Sequence, residues 1–196
     1  MAATLVLASA SVSRARLLRG AGIAFDVQVS PVDEDEIKGR HAALDLGPLA
    51  LTLAKAKAGA VASHRPADFV IGADQILECD GARFDKPRDR ADAANHLRRL
   101  RGKEHHLMTA AVVYRGSQCI WETLDQPRLV MRDLPDVFIE DYLDQTGDTV
   151  LRSVGAYELE GRGAQLFERV EGDFFSILGL PLLPLLAFLR AEGVVS

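Results

Sequence analysis

Several short groups of residues in this chain carry more chemistry than packing requires. The first is Ser9-Ala10-Ser11-Val12-Ser13-Arg14, three hydroxyls and a guanidinium between the apolar run Leu5 to Ala8 and the helix-forming stretch Ala15 to Arg19. A strand that delivers such residues to a helix start makes an anion site, because a capping hydroxyl, free amides and the positive end of the helix converge there. The second is Asp74, a carboxylate at the end of the apolar run Phe69 to Ala73. Burying it unpaired is costly, so the position calls for a metal, a cationic partner or a catalytic task, a capping aspartate at a turn being the plainer alternative. The others are the acidic run Asp33-Glu34-Asp35-Glu36, the pair Lys86-Pro87, and the loop Glu160-Gly161-Arg162-Gly163 with Asp173 beyond it. Taken singly, the acidic run reads as a solvated loop and the others as turns.

Together they supply oxygen ligands for a hard divalent cation, lysines and an arginine for phosphates, and glycine backbone that a ligand can approach closely. His41, His64, His96, His105 and His106 show no metal-binding spacing, and His105 and His106 would face opposite ways on a strand, so Mg²⁺ or Mn²⁺ fits better than zinc. None of the serines lies in a GxSxG elbow, which argues against a serine hydrolase.

These groups need elements to hold them. Leu5 to Ala8 reads as a buried strand, and Phe25 to Val29 alternates as a half-buried strand does. Leu46 to Ser63 is an alanine-rich helix carrying Lys55 and Lys57, preceded by a polar loop that holds the acidic run. Phe69 to Ala73 is a second buried strand ending at Asp74-Gln75, and Asp80-Gly81 signals a hairpin. Helices are predicted over 90–100, 135–145 and 181–192, and strands over 104–114, 118–132 and 164–169. Strands alternating with helices imply an α/β fold with a mixed sheet.

With 196 residues, 48% of them hydrophobic, the chain has ample core for one domain or two lobes. A net charge of -5 argues against a nucleic-acid or anionic-membrane binder, and any phosphate site must be local. The most apolar stretch, Phe174 to Leu189, contains Pro181 and Pro184 and is too short to span a bilayer. Cys79 and Cys119 form no CxxC pair and are too few for a disulfide framework, so a reducing cytoplasm fits best.

The segments LVLASASVSRARLL, SPVDED, LAKAKAGAVA, VIGADQIL, DKPRD, GAYELEGRGAQLFERVEGD and GLPL, in this order and nearly end to end, resemble the Maf family of nucleoside triphosphate pyrophosphatases. The resemblance implies a single domain over residues 1–196, a mixed twisted sheet with two lobes around a central cleft as in the inosine triphosphatase architecture, and a homodimer. It implies a house-cleaning hydrolase that, with Mg²⁺ or Mn²⁺, converts a nucleoside triphosphate to the monophosphate and pyrophosphate. Carried over onto this sequence, the SxxR element falls on Ser11 and Arg14, the acidic loop on Asp33 and Glu34, the helix lysine on Lys57, the catalytic aspartate on Asp74 and the KP lysine on Lys86. Glu34 and Asp74 are then metal ligands that also orient or deprotonate water, and Arg14, Lys57 and Lys86 neutralise phosphate charge. Ser11 contacts the triphosphate, and Ser13 is a further substrate-binding position.

Where a dTTP and UTP branch of the family carries SPRR, a threonine after the aspartate and a glutamine in the late glycine loop, this chain has Ser11-Val12-Ser13-Arg14, Gln75 and Glu160. Gln75 and Glu160 resemble the branch associated with 7-methyl-GTP, and a carboxylate can accept from the N1 and N2 donors of guanine. Ser13 stands where that branch usually has tryptophan. That departure counts against the branch, yet Gln75 and Glu160 favour a modified or non-canonical nucleotide, 7-methyl-GTP first, with dTTP or UTP the alternative. A non-catalytic nucleotide-binding regulator of septum formation is the opposing class.

Overall fold

A computed structural model of the protein describes residues 4–195. In chain order the elements begin with β1 (Leu5–Leu7), α1 (Val12–Gly20), β2 (Asp26–Val27), α2 (Glu34–Arg40), α3 (Leu46–Ala62) and β3 (Phe69–Cys79). They continue with β4 (Ala82–Phe84), α4 (Arg90–Leu100), β5 (Glu104–Arg115), β6 (Gln118–Asp125), β7 (Arg128–Met131) and α5 (Asp136–Thr146). The last are β8 (Phe167–Glu171), α6 (Phe174–Ile177) and α7 (Leu182–Ala191), with 3₁₀ turns at Gly147–Arg152 and Arg162–Leu166. The strands hydrogen-bond in the order β2-β1-β3-β5-β7-β8, with β4 on β3 and β6 on β5, giving the mixed α/β sheet that the alternation of elements predicts.

The chain divides into two compact units, the first built from the segments up to Gln75, Thr109–Asp125 and from Gly179 on, the second from Ile76–Met108 and Gln126–Leu178. In the first unit β1 lies parallel to β2 and to β3, with Val6 opposite Asp26 on one side and Val70 on the other. Every residue of β1 is buried, which is why its sequence is continuously apolar rather than alternating. Behind β3, α3 presents Leu49, Leu53, Ala54, Ala58 and Val61 to the core. The two approach unusually closely at Gly72, where an added β carbon would stand 2.3 Å from the Ala54 carbonyl oxygen and 2.8 Å from the Ala58 β carbon. The second unit has its own core, in which Leu77, Leu97, Leu107, Met131, Tyr157 and Leu166 are among the buried residues.

Five predicted elements differ from those observed. The acidic run is not a loop: Asp33 caps α2 by accepting from the Asp35 and Glu36 amides, both at 3.0 Å, and Glu34, Asp35 and Glu36 form the first turn. Carboxylates complement the positive end of a helix, so a run that reads as solvated charge is also a helix start. Asp74 does not end its strand but lies inside β3, because Ile76 and Leu77 are buried and Leu77–Cys79 continue the ladder against β4 across the Asp80-Gly81 hairpin. The long strand expected over 118–132 is two, broken at Gln126-Pro127, where proline has no N–H to give and its carbonyl instead accepts from the Leu107 amide at 3.0 Å. The strand expected at 164–169 begins only at Phe167, after a 3₁₀ turn, and the one at 25–29 shrinks to two exposed residues, Asp26 and Val27. Among the described residues no helix is long and apolar enough to cross a membrane.

Candidate active site

The serine-rich segment folds as a cradle for one guanidinium. Ser11 is the N-cap of α1, its hydroxyl facing the Arg14 amide at 3.4 Å. Ser9 Oγ accepts from the Ser11 amide and from Arg14 Nη1, each at 3.2 Å, and Arg14 Nε donates to the Gly179 carbonyl at 2.8 Å. Gly179 adopts a φ of +104°, and its missing side chain leaves room beside the Arg14 guanidinium and Gln75 Oε1. Arg14 is thereby buried and fixed at both ends of its guanidinium, while Ser11 and Ser13 stay half-exposed on the first turn of α1. Of the three serines Ser11 is the cap, and Ser9 ties the turn to the arginine.

Close to Arg14 three side chains meet from three elements. Lys57 Nζ, reaching from α3, donates to Asp74 Oδ1 of β3 at 2.6 Å and lies 2.8 Å from Glu34 Oε1 of α2. Lys57 and Asp74 are buried, whereas the Glu34 side chain keeps 44% of its surface. Two of these positions follow from local structure. Gly72 lets α3 settle against β3 so that Lys57 comes within reach of the strand, and the Asp33 cap starts α2 so that Glu34 is its first residue.

The charges set one another's proton affinity. Burial pushes the Asp74 carboxyl above its ordinary value, with Lys57 and Arg14 pulling against that rise. Burial acts on Glu34 in the same direction, but there Lys57, with Lys38 and Arg14 behind it, prevails and holds the carboxyl below its usual range. Arg14 is lowered by its own burial against the pull of Asp74 and Glu34. Among the described residues no group of three or more His, Cys, Asp or Glu side chains gathers around one ion position. The donor set is two carboxylates converging on a single cationic nitrogen. That set suits a hard divalent ion, which takes one or two carboxylates and fills its remaining positions with water and phosphate oxygens.

The predicted residues Ser11, Ser13, Arg14, Glu34, Lys57, Asp74 and Gln75 all belong to the first unit. Asp33 is present as a cap. Lys86 and Glu160 belong to the second unit, Lys86 exposed between β4 and α4 and Glu160 exposed in the turn before the second 3₁₀ segment. The Gln75 carboxamide is oriented by a bond from Nε2 to Thr109 Oγ1 of β5, at 2.8 Å. Thr109 was not singled out in the sequence, and Gly179 appeared there only as the first residue of GLPL, with no role. A lone threonine within an apolar strand gives no sign of the side chain it will orient, and the Gly179 carbonyl becomes a partner only through a contact 165 positions away in the chain.

Known proteins resemble this chain along almost its whole length. A nucleoside triphosphate pyrophosphatase of Paramagnetospirillum magneticum (strain AMB-1) is 50% identical over 190 residues, which cover 96% of this chain and 98% of the relative. One of the same name from Nitrobacter winogradskyi is 47% identical over 192 residues, covering 98% and 95%. A 7-methyl-GTP pyrophosphatase of Rhizobium etli is 44% identical over 198 residues, covering both chains completely. The family described as Maf-like protein matches residues 4–192, and with relatives this similar along its whole length the chain belongs to that family.

Proposed function

We propose that this protein hydrolyses a nucleoside triphosphate to the monophosphate and pyrophosphate, with 7-methyl-GTP as the favoured substrate and the cytoplasm as its place of work. The observation that carries the reading is the pair of carboxylates, Asp74 and Glu34, held on Lys57 Nζ at 2.6 and 2.8 Å with the pinned guanidinium of Arg14 nearby. Such a concentration of buried charge is what a polyphosphate ligand and its counter-ion require. Relatives named for this chemistry, including one named for 7-methyl-GTP, support it.

In this reading Glu34 and Asp74 hold Mg²⁺ or Mn²⁺, which when bound supplies a Lewis acid at the phosphate oxygens. Asp74 orients the attacking water and accepts its proton, a task that the raised proton affinity of a buried carboxylate suits. Water attacks phosphorus, the phosphoanhydride bond breaks, and pyrophosphate leaves with the bonding electron pair, so no covalent enzyme intermediate forms. Arg14 and Lys57 neutralise the charge that gathers on the phosphates, and Ser11 and Ser13 offer hydroxyls at the start of α1, whose amides favour an anion. Gln75, its carboxamide set by Thr109, contacts the base. Lys86 and Glu160 carry the phosphate and base contacts that the resemblance assigns them, which Lys86→Ala and Glu160→Gln test one at a time.

A panel of nucleotides incubated with Mg²⁺ or Mn²⁺ and scored for pyrophosphate against orthophosphate tests the proposal. The expected result is pyrophosphate, released fastest from 7-methyl-GTP. Orthophosphate as the first product would reject the reaction, and about tenfold faster turnover of UTP would reverse the substrate order.

A further inference from the structure

Lys57 presents a second possibility for the same cluster, one that rests on the metal-dependent reading above. Its ammonium nitrogen lies within ion-pair distance of both carboxylates, 2.6 Å from Asp74 Oδ1 and 2.8 Å from Glu34 Oε1, so it stands at the point where a shared divalent ion would compensate them. The side chain is buried on α3, and α3 is held against β3 by the close approach at Gly72, so the ammonium cannot simply drift into solvent. Without any ion, two cationic side chains, Lys57 and Arg14, already face the two carboxyl groups of Asp74 and Glu34, and Arg14 is tethered to Ser9 and Gly179. A divalent ion entering this group alone would leave a surplus of positive charge in a poorly solvated place, which is unfavourable until an anion accompanies it.

We propose that Lys57 is an exchangeable internal cation: it neutralises Asp74 and Glu34 in the free protein, keeps the affinity for a divalent ion low, and turns to the phosphates when the ion arrives with its triphosphate. The exchange involves no bond-making beyond ion pairing. As the ion takes up the two carboxylates, the ammonium loses its partners and the polyphosphate replaces them. The free protein thus holds metal weakly, and metal and nucleotide bind together.

The test is Mn²⁺ binding followed by electron paramagnetic resonance on the nucleotide-free protein. Lys57→Met, and Lys57→Gln as a polar variant of similar length, are expected to bind Mn²⁺ at least about tenfold more tightly than the unaltered protein, a size typical of changes beside a metal site. Lys57→Arg, which keeps the charge, is expected to show no gain. Lys38→Met removes a cation that acts on Glu34 without touching Asp74, and should change the affinity by less than about threefold. Equal or weaker Mn²⁺ binding in both Lys57→Met and Lys57→Gln, each folded by circular dichroism, overturns the exchange. So does a gain in Lys38→Met as large as that in Lys57→Met, since general charge and not the shared position would then govern affinity. Mn²⁺-dependent pyrophosphate release alongside unchanged binding in the Lys57 variants rejects the exchange alone. Absence of any Mn²⁺ binding together with metal-independent turnover rejects the metal-dependent reading and the exchange with it.

Discussion

Lys57, 2.6 Å away, and Arg14 oppose the cost of burying the Asp74 carboxylate without cancelling it. Removing that charge while keeping the shape is the sharpest test of its role: Asp74→Asn should lower kcat by about 10² to 10⁴ with the circular dichroism spectrum unchanged. Near-normal turnover in that variant would end its assignment as the group that receives the proton. The opposite displacements of the two carboxyls set the pH dependence. Glu34 is held below its ordinary value and Asp74 is raised above its own, so of the two Asp74 is the group that loses its proton at the higher pH. The acid limb of kcat/KM should therefore rise with pH at a position above the ordinary aspartate value of about 4. A limb at or below that value, measured with buffers of constant ionic strength, would contradict the ordering. At this scale the sequence exposed the residue types but not their pairing. Asp74 announces itself as a carboxylate after an apolar run, while Lys57 lies 17 positions away and looks like one of two lysines on an alanine-rich helix. Helix periodicity alone does not show which lysine faces inward; the resemblance points to Lys57, and the packing of α3 on β3 turns it toward Asp74.

At the scale of elements, the contact between α3 and β3 is set by backbone. Gly72→Ala would place a methyl group 2.3 Å from the Ala54 carbonyl oxygen, a collision with main chain that no rotamer can relieve. The variant should lose about 1 to 3 kcal/mol of stability in urea denaturation and, because Lys57 rides on the displaced helix, lose activity as well. Full activity at reduced stability would detach the helix position from the chemistry. In the second unit His105 on β5 is fully buried, its Nε2 within 3.0 Å of the Tyr157 hydroxyl, and burial lowers its pKa from 6.5 to about 4. Above pH 6.5 the ring is neutral whether the chain is folded or unfolded and costs nothing; below it the unfolded chain takes up a proton that the folded protein refuses. Stability should thus fall as pH drops from 6.5 toward 4, by up to about 3 kcal/mol, and His105→Gln should flatten that slope in denaturation curves across the range. The opposed faces of His105 and His106 were legible, because strand alternation alone decides them. The helix begun by the acidic run was not, because Asp33 declares itself a cap only when the Asp35 and Glu36 amides turn toward it.

For the whole molecule, the chain passes between its two units four times, at Gln75/Ile76, Met108/Thr109, Asp125/Gln126 and Leu178/Gly179. Two of these passages lie inside β3 and β5, so each strand is shared along its length. Calorimetry should accordingly show one unfolding transition; two well-separated transitions would establish the units as independent. The sheet class was readable from the alternation of elements and two lobes were expected, yet the places where the chain passes between the units were not, since no linker, composition change or repeat marks any of the four passages. One of them falls immediately after the residue that faces Thr109, and two residues after that comes the start of the β4 hairpin ladder. What reaches furthest, however, is the hydrogen atom that stands in for a side chain at Gly72. Ordinary core positions act as cushions, absorbing a change by reshuffling rotamers around it. Here a helix rests directly on a peptide, and the clearance acts as a gauge rather than a cushion. Drift in the Ala54 to Ala58 turn would therefore carry Lys57 with it and change the distance at which its ammonium meets Asp74.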